Sequence, residues 1–215
     1  MTSRSTILIN VWSDYVCPFC YLELPVLERL RAEEGDRVAI EWRAFELRPE
    51  PVPTLDPDGE YLHRVWSQSV YPMARERGLA LKLPPVQPRS RKAFEAAEHA
   101  RSQGRFDAMH KALFRAFFEE GRDIGDPGVL QAIGASVGLD PDALREALDS
   151  GRHTEKVLAD QRLAKELGLT GVPAMILHLA DRVGPALLVS GAQPYAALQS
   201  AIQRLRDTEP TGSAL

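Results

Sequence analysis

The sequence predicts an α/β chain with two short strand-bearing units, one toward each end, and a helical block of about a hundred residues between them. Three observations carry this reading. An apolar run ending at Trp12 opens directly onto a helical pattern and is followed by an alternating strand. From Gly59 to Gly168 the apolar spacing is almost wholly helical. A proline-led apolar run from Val172 has a hairpin partner at Leu187 to Ser190, and an amphipathic helix follows it.

Ser5 to Trp12 is rich in Ile, Leu and Val and stops at Ser13-Asp14, so it reads as a buried strand. Cys17-Pro18-Phe19-Cys20 comes next. Proline is tolerated in the first turn of a helix, and Leu24, Leu27 and Leu30 continue at helical spacing to Gly35. A helix therefore begins at the cysteine pair. Val38, Ile40, Trp42 and Ala44 then alternate with Ala39, Glu41, Arg43 and Phe45, which predicts a second strand. Pro49, Pro51, Pro53 and Pro57 make the stretch from Arg48 to Asp58 a loop and a boundary.

The helical block breaks at Leu83-Pro84-Pro85 and between Gly121 and Pro127. Phe106, Met109, Leu113 and Phe117 form one apolar stripe, Val129, Leu130, Ile133 and Val137 another; both are expected to be core. Gly168 suits a helix C-terminus, and Val172 to Leu177 reads as a strand whose start is marked by Pro173. Ala192 to Leu205 predicts a last helix with Ala197, Leu198, Ala201, Ile202 and Leu205 inward. Two half-sheets separated by an insertion must meet to bury their faces. Parallel pairing in the first and antiparallel pairing in the second give a thioredoxin fold with a large inserted all-helical domain. The expected division is 1–47 with 168–207 as the thioredoxin-like unit, 48–167 as the insertion and 208–215 as a flexible tail.

Lys and Arg number 26 against 30 Asp and Glu, a formal charge of −4 that leaves no basic surplus for a phosphate backbone. Nucleic acid is not an expected partner. No stretch approaches the ~20 apolar residues of a membrane span, and Met1 to Trp12 lacks a secretory apolar region. With only two cysteines, two residues apart, no wider disulfide framework is expected, and cytoplasmic residence is the default.

The two-residue gap puts both sulfurs on the first helical turn, close enough to bond reversibly. Unpaired N–H groups and the positive end of the helix dipole favour a thiolate at Cys17, the attacking group. Cys20, one turn further in, resolves the mixed disulfide. Phe19, between them, offers neither charge nor hydrogen-bond donor, which predicts a less oxidising pair than one with histidine there. The same spacing also makes half of a zinc site, but His63, His99, His110, His153 and His178 show no helical metal-pair spacing, and no metal is expected. Pro173 fits two readings: a trans proline opening a strand, or, in a thioredoxin fold, a cis proline beside the cysteines with Val172 offered to substrate as an added strand. Asp14 suits a helix cap, with influence on the thiols as the alternative. Asp160 falls on the Val157–Ala164 stripe of the helix that leads toward Pro173, and a half-exposed position explains it as well.

Trp12-Ser13-Asp14-Tyr15-Val16-Cys17-Pro18-Phe19-Cys20-Tyr21 resembles the active-site segment of the DsbA-like thioredoxin family, in its FrnE-like branch. Ala116 to Ile124, Gly171-Val172-Pro173-Ala174 and Val189-Ser190-Gly191-Ala192-Gln193 resemble later segments of that branch in the same order. The resemblance implies an inserted helical domain, dithiol–disulfide chemistry at Cys17 and Cys20, and a cis proline at Pro173. Substrate contacts then fall to Pro18, Phe19, Val172 and Pro173. No bound cofactor is expected; glutathione is a candidate co-substrate, and the partner is a thiol- or disulfide-containing protein or small molecule, with the oligomeric state open. Arg89-Ser90 departs from the asparagine followed by serine or threonine frequent in the branch, which points to a different substrate preference if that position meets substrate. The wider family includes glutathione-dependent isomerases of the hydroxychromene-carboxylate type, which usually carry serine in place of the first cysteine; both cysteines here favour redox work. A chaperone-like binding module is the third reading.

Overall fold

A computed structural model describes residues 6–181 and 183–208. The expected tail falls almost wholly outside the described residues, as does Ser5 of the first expected strand. The chain runs β1 (Ile7–Ser13), α1 (Pro18–Glu34), β2 (Val38–Ala44), then seven helices, α2 (Glu60–Val65), α3 (Tyr71–Glu76), α4 (Arg91–Ser102), α5 (Phe106–Phe118), α6 (Pro127–Ser136), α7 (Pro141–Asp149) and α8 (Thr154–Glu166), before β3 (Ala174–Leu179), β4 (Leu187–Ser190) and α9 (Tyr195–Arg206). One π turn, Trp66–Val70, joins α2 to α3. Among the described residues no helix is long and apolar enough to cross a membrane.

The four strands lie in the order β2-β1-β3-β4. β1 pairs parallel with β2, Ile7 opposite Val38 and Ser13 opposite Ala44. It pairs antiparallel with β3, and β3 antiparallel with β4. β1 takes the centre because Ile7, Ile9, Val11 and Trp12 are all buried, and a strand covered on both faces reads as a continuous apolar run. This is the thioredoxin fold with its helical insertion, as the pattern predicts. Gly35 ends α1 in the left-handed region at φ 55°, and Gly168 follows α8 at φ 71°.

Two expected boundaries move. β3 begins at Ala174 rather than Val172, because Ala174 is the first residue with a ladder partner, Trp12 of β1 and Ser190 of β4, and Pro173 has no N–H to donate. α9 begins at Tyr195 rather than Ala192: Gly191 sits at φ 77° and Pro194 takes the extended cap position. The stripe of α5 is buried at Met109, Leu113 and Phe117. On α6 only Leu130 and Ile133 of the expected four are fully inside, with Val129 and Val137 packed at the edge of the core.

Candidate active site

The register Trp12 opposite Ala174 decides where the site forms. Chain leaving β1 and chain entering β3 must then occupy one end of the sheet. Ser13 to Val16 lead to Cys17, and Gly171 to Pro173 lead into β3. Across 155 residues of sequence, Cys17 Sγ comes within 3.6 Å of the Val172 carbonyl oxygen, to which it donates. The Val172–Pro173 bond is cis, as the resemblance implies.

Cys17 is itself the N-cap residue of α1, in extended conformation with Pro18 at the first helical position. Its N–H closes a turn onto the Asp14 carbonyl at 3.1 Å, and its own carbonyl accepts from Cys20 N–H at 3.1 Å. Both cysteines are free. Cys17 is 4 % exposed and lines a cleft, whereas Cys20 has no exposed surface. Burial foremost, and then the adjacent Cys17 sulfur, pushes the Cys20 thiol well above its ordinary range. Cys20 Sγ accepts the Asp14 backbone N–H at 3.4 Å.

Asp14 does not cap the helix. A capping side chain must come from the boundary residue, and that place belongs to Cys17. Instead the carboxylate is fully buried, accepting the Leu47 N–H at 2.7 Å and the Val16 N–H at 3.3 Å. Desolvation raises its pKa to about 6, against the opposing pull of hydrogen bonds from Leu47, Ser90 and Val16, and the charge of Glu46 adds to the rise. The acid therefore pins the start of the proline-rich loop to the turn that carries Cys17.

Of the two readings of Asp160, the fold realises the buried stripe and not the half-exposed position. Its carboxylate is buried, accepting from Arg43 at 3.2 Å, the Ala44 N–H at 3.3 Å and Lys156 at 2.5 Å, while its carbonyl accepts the Trp12 indole N–H at 3.1 Å. Packing of α8 against β2, with the Trp12 indole of β1 on the Asp160 carbonyl, places it there. Arg89, the departure noted in the sequence, donates to the Arg48 and Val52 carbonyls at 2.9 and 3.0 Å and does not line the cleft. The histidines scatter: His110 is buried, bonded through Nδ1 to the Tyr15 hydroxyl at 2.9 Å and held neutral by burial at a pKa of about 3, while His99 and His153 face each other on α4 and before α8. Among the described residues no group of three or more His, Cys, Asp or Glu is placed to hold a metal.

The cleft beside Cys17 has a volume of about 320 Å³. Its floor is Cys17, Pro18, Phe19 and Val172, and its walls include Leu55, Leu62, Trp66 and Phe118 from the helical insertion and the loop before it. Of the residues singled out in the sequence, Cys17, Pro18, Phe19 and Val172 line the cleft; Pro173 follows Val172 in the chain and does not line it, and Cys20 lies below. The walls, and Arg48, which also lines the cleft, are not among the residues the sequence singles out. The one available signal was Leu62, Val65 and Trp66 at helical spacing, indistinguishable from core packing.

A four-stranded sheet presenting a free cysteine pair at a helix start, opposite a cis proline, defines a dithiol protein of the thioredoxin-fold class. The model of the DsbA-like thioredoxin domain matches residues 8–203, and the chain belongs to that family. It is 35% identical over 176 residues to the uncharacterized protein YwbO of Bacillus subtilis (strain 168), covering 80% of this chain and 87% of that one. Among solved structures it is similar to a probable DsbA oxidoreductase from Streptomyces coelicolor, at 25% identity and a TM-score of 0.79 over 97% of this chain and 94% of that one. A cytosolic disulfide reductase, DsbM, from Pseudomonas aeruginosa, solved with glutathione, shares the fold at 22% identity and a TM-score of 0.68, over 92% of this chain and 100% of that one.

Proposed function

We propose that the protein is a dithiol–disulfide oxidoreductase in which Cys17 attacks and Cys20 resolves. The observation that carries this reading is the asymmetry of the pair: Cys17 lines an open cleft at the helix start, and Cys20 lies sealed one turn below. Attack by the Cys17 thiolate on a substrate disulfide breaks the substrate S–S bond, releases one substrate thiolate and leaves a mixed disulfide. Cys20 then loses its proton and attacks Cys17 Sγ, releasing the second thiolate and leaving the Cys17–Cys20 disulfide. The reverse sequence oxidises a dithiol. Pro18, Phe19 and Val172 would contact the substrate beside the sulfur, with Pro173 shaping the backbone that presents Val172. Glutathione is a candidate co-substrate, by analogy with the Pseudomonas reductase solved with it.

The test is trapping. Cys20→Ala removes the intramolecular exit and should accumulate a mixed disulfide through Cys17, visible by intact mass after incubation with oxidised glutathione or a disulfide-bonded peptide. Absence of any adduct, with Cys17 shown to be unoxidised, would reject disulfide exchange. Retention of turnover by this variant would favour a glutathione-dependent isomerase instead.

A further inference from the structure

The cleft beside Cys17 has a charge pattern that disulfide exchange alone does not require. Of its lining residues only Arg48 carries a formal charge; most of the others are aliphatic or aromatic. Arg48 is half-buried, and among the described residues its guanidinium has no ion-pair or hydrogen-bond partner. A partly desolvated cation against apolar walls is unfavourable until an anion joins it. Its position is nevertheless tied down from both sides. The preceding Leu47 N–H is bound by the Asp14 carboxylate at 2.7 Å, and the Arg48 carbonyl accepts from Arg89 at 2.9 Å. The first contact anchors the arginine's backbone to the turn that carries Cys17, and the second holds it against the segment that leads into α4.

Size narrows the class further. A volume of about 320 Å³ is at the small end of ligand sites, which run from about 300 to 1,000 Å³, and suits a body of one ring or short chain rather than a folded protein surface. Leu47 and Tyr61, 38 % and 54 % exposed, add apolar surface where the cleft opens.

We propose that this cleft selects small disulfides or thiols that combine an apolar body with a carboxylate, the carboxylate pairing with Arg48 while the sulfur meets Cys17. This rests on the oxidoreductase reading. In the reductive direction the electrons come from the reduced Cys17–Cys20 pair: two leave with the two substrate thiolates, and the protein ends with one internal disulfide.

The probes are two aromatic disulfides, one bearing carboxylates, bis(carboxynitrophenyl) disulfide, and one uncharged, dipyridyl disulfide. Each is mixed with the pre-reduced full chain under single-turnover conditions, and the second-order rate constant is compared between wild type and variant for each probe separately. Arg48→Gln should slow the carboxylated probe by about tenfold or more, the usual scale of a charge-assisted contact, and change the uncharged probe by less than about twofold. Arg48→Lys should recover much of the loss. Added salt should slow the carboxylated probe in wild type and not in Arg48→Gln. A second measurement needs no variant: nitrobenzoate, which has no sulfur, should compete with the carboxylated probe in wild type, and nitrobenzamide should not. Equal slowing of both probes, no slowing of either, or equal inhibition by acid and amide would overturn the proposal and leave the oxidoreductase reading standing. Failure of wild type to reduce dipyridyl disulfide would overturn that reading, and the proposal with it.

Discussion

Asp14 holds the Leu47 N–H at 2.7 Å from a carboxylate with no exposed surface. That bond joins the turn before Cys17 to the loop after β2 and so ties both sides of the cleft to one buried acid.

The pH dependence of stability follows from it. The folded pKa of Asp14 is raised from 3.8 to about 6, so between these values the folded state binds the proton more tightly than the unfolded chain. The contribution is fully present below about pH 4 and is lost as pH rises through about 6, an amount on the order of 3 kcal/mol. The stability difference between wild type and Asp14→Asn should therefore shift against wild type across this interval and level off above it. Urea unfolding at a series of pH values measures it, and a flat difference would contradict the assignment.

The two thiols should differ sharply in access. In single-cysteine variants at neutral pH, Cys17 should react with iodoacetamide at least about tenfold faster than Cys20, whose thiol is sealed and driven toward its protonated form. Rates read by mass spectrometry decide this, and equal rates would reverse the assignment of roles.

Phe19 lines the cleft and supplies no polar group to the pair. Phe19→His should make the pair more oxidising, because a donor beside the sulfurs favours the reduced, charged form. A rise of about 30 mV corresponds to about 1.4 kcal/mol for this two-electron couple. Equilibration against glutathione measures the potential; an unchanged or lower value would show that this side chain does not set the poise.

Asp160 should matter for stability and little for chemistry. Asp160→Ala leaves Arg43 and Lys156 without their buried partner and the Ala44 N–H without an acceptor. A loss of about 3 kcal/mol is expected, softened by the partial exposure of both cations. Denaturant midpoints report the loss, while the rate of Cys17 alkylation at 25 °C should stay within about twofold of wild type.

The strands and the helix start were legible in the sequence because their signals are local. Ile7, Ile9 and Val11 form an apolar run whatever lies beside them, and Pro18 behind Cys17 marks a helix N-terminus by its own geometry. Those signals are enough to set the cysteine pair at a helix start and to bring Val172 toward it through the order of the strands. Tertiary structure alone decided the rest. Asp14 suits a cap until the fold brings Leu47 against its carboxylate, and the burial of Asp160 stays open until α8 packs on β2. Trp66 and Phe118 carry the same periodic signal whether they face the core or the wall of a cleft, and Arg48 in a proline-rich loop carries no periodic signal at all. Periodicity reports that a side chain is buried; which partner buries it, or leaves a cation without one, is fixed only when segments 33 to 170 residues apart are packed together.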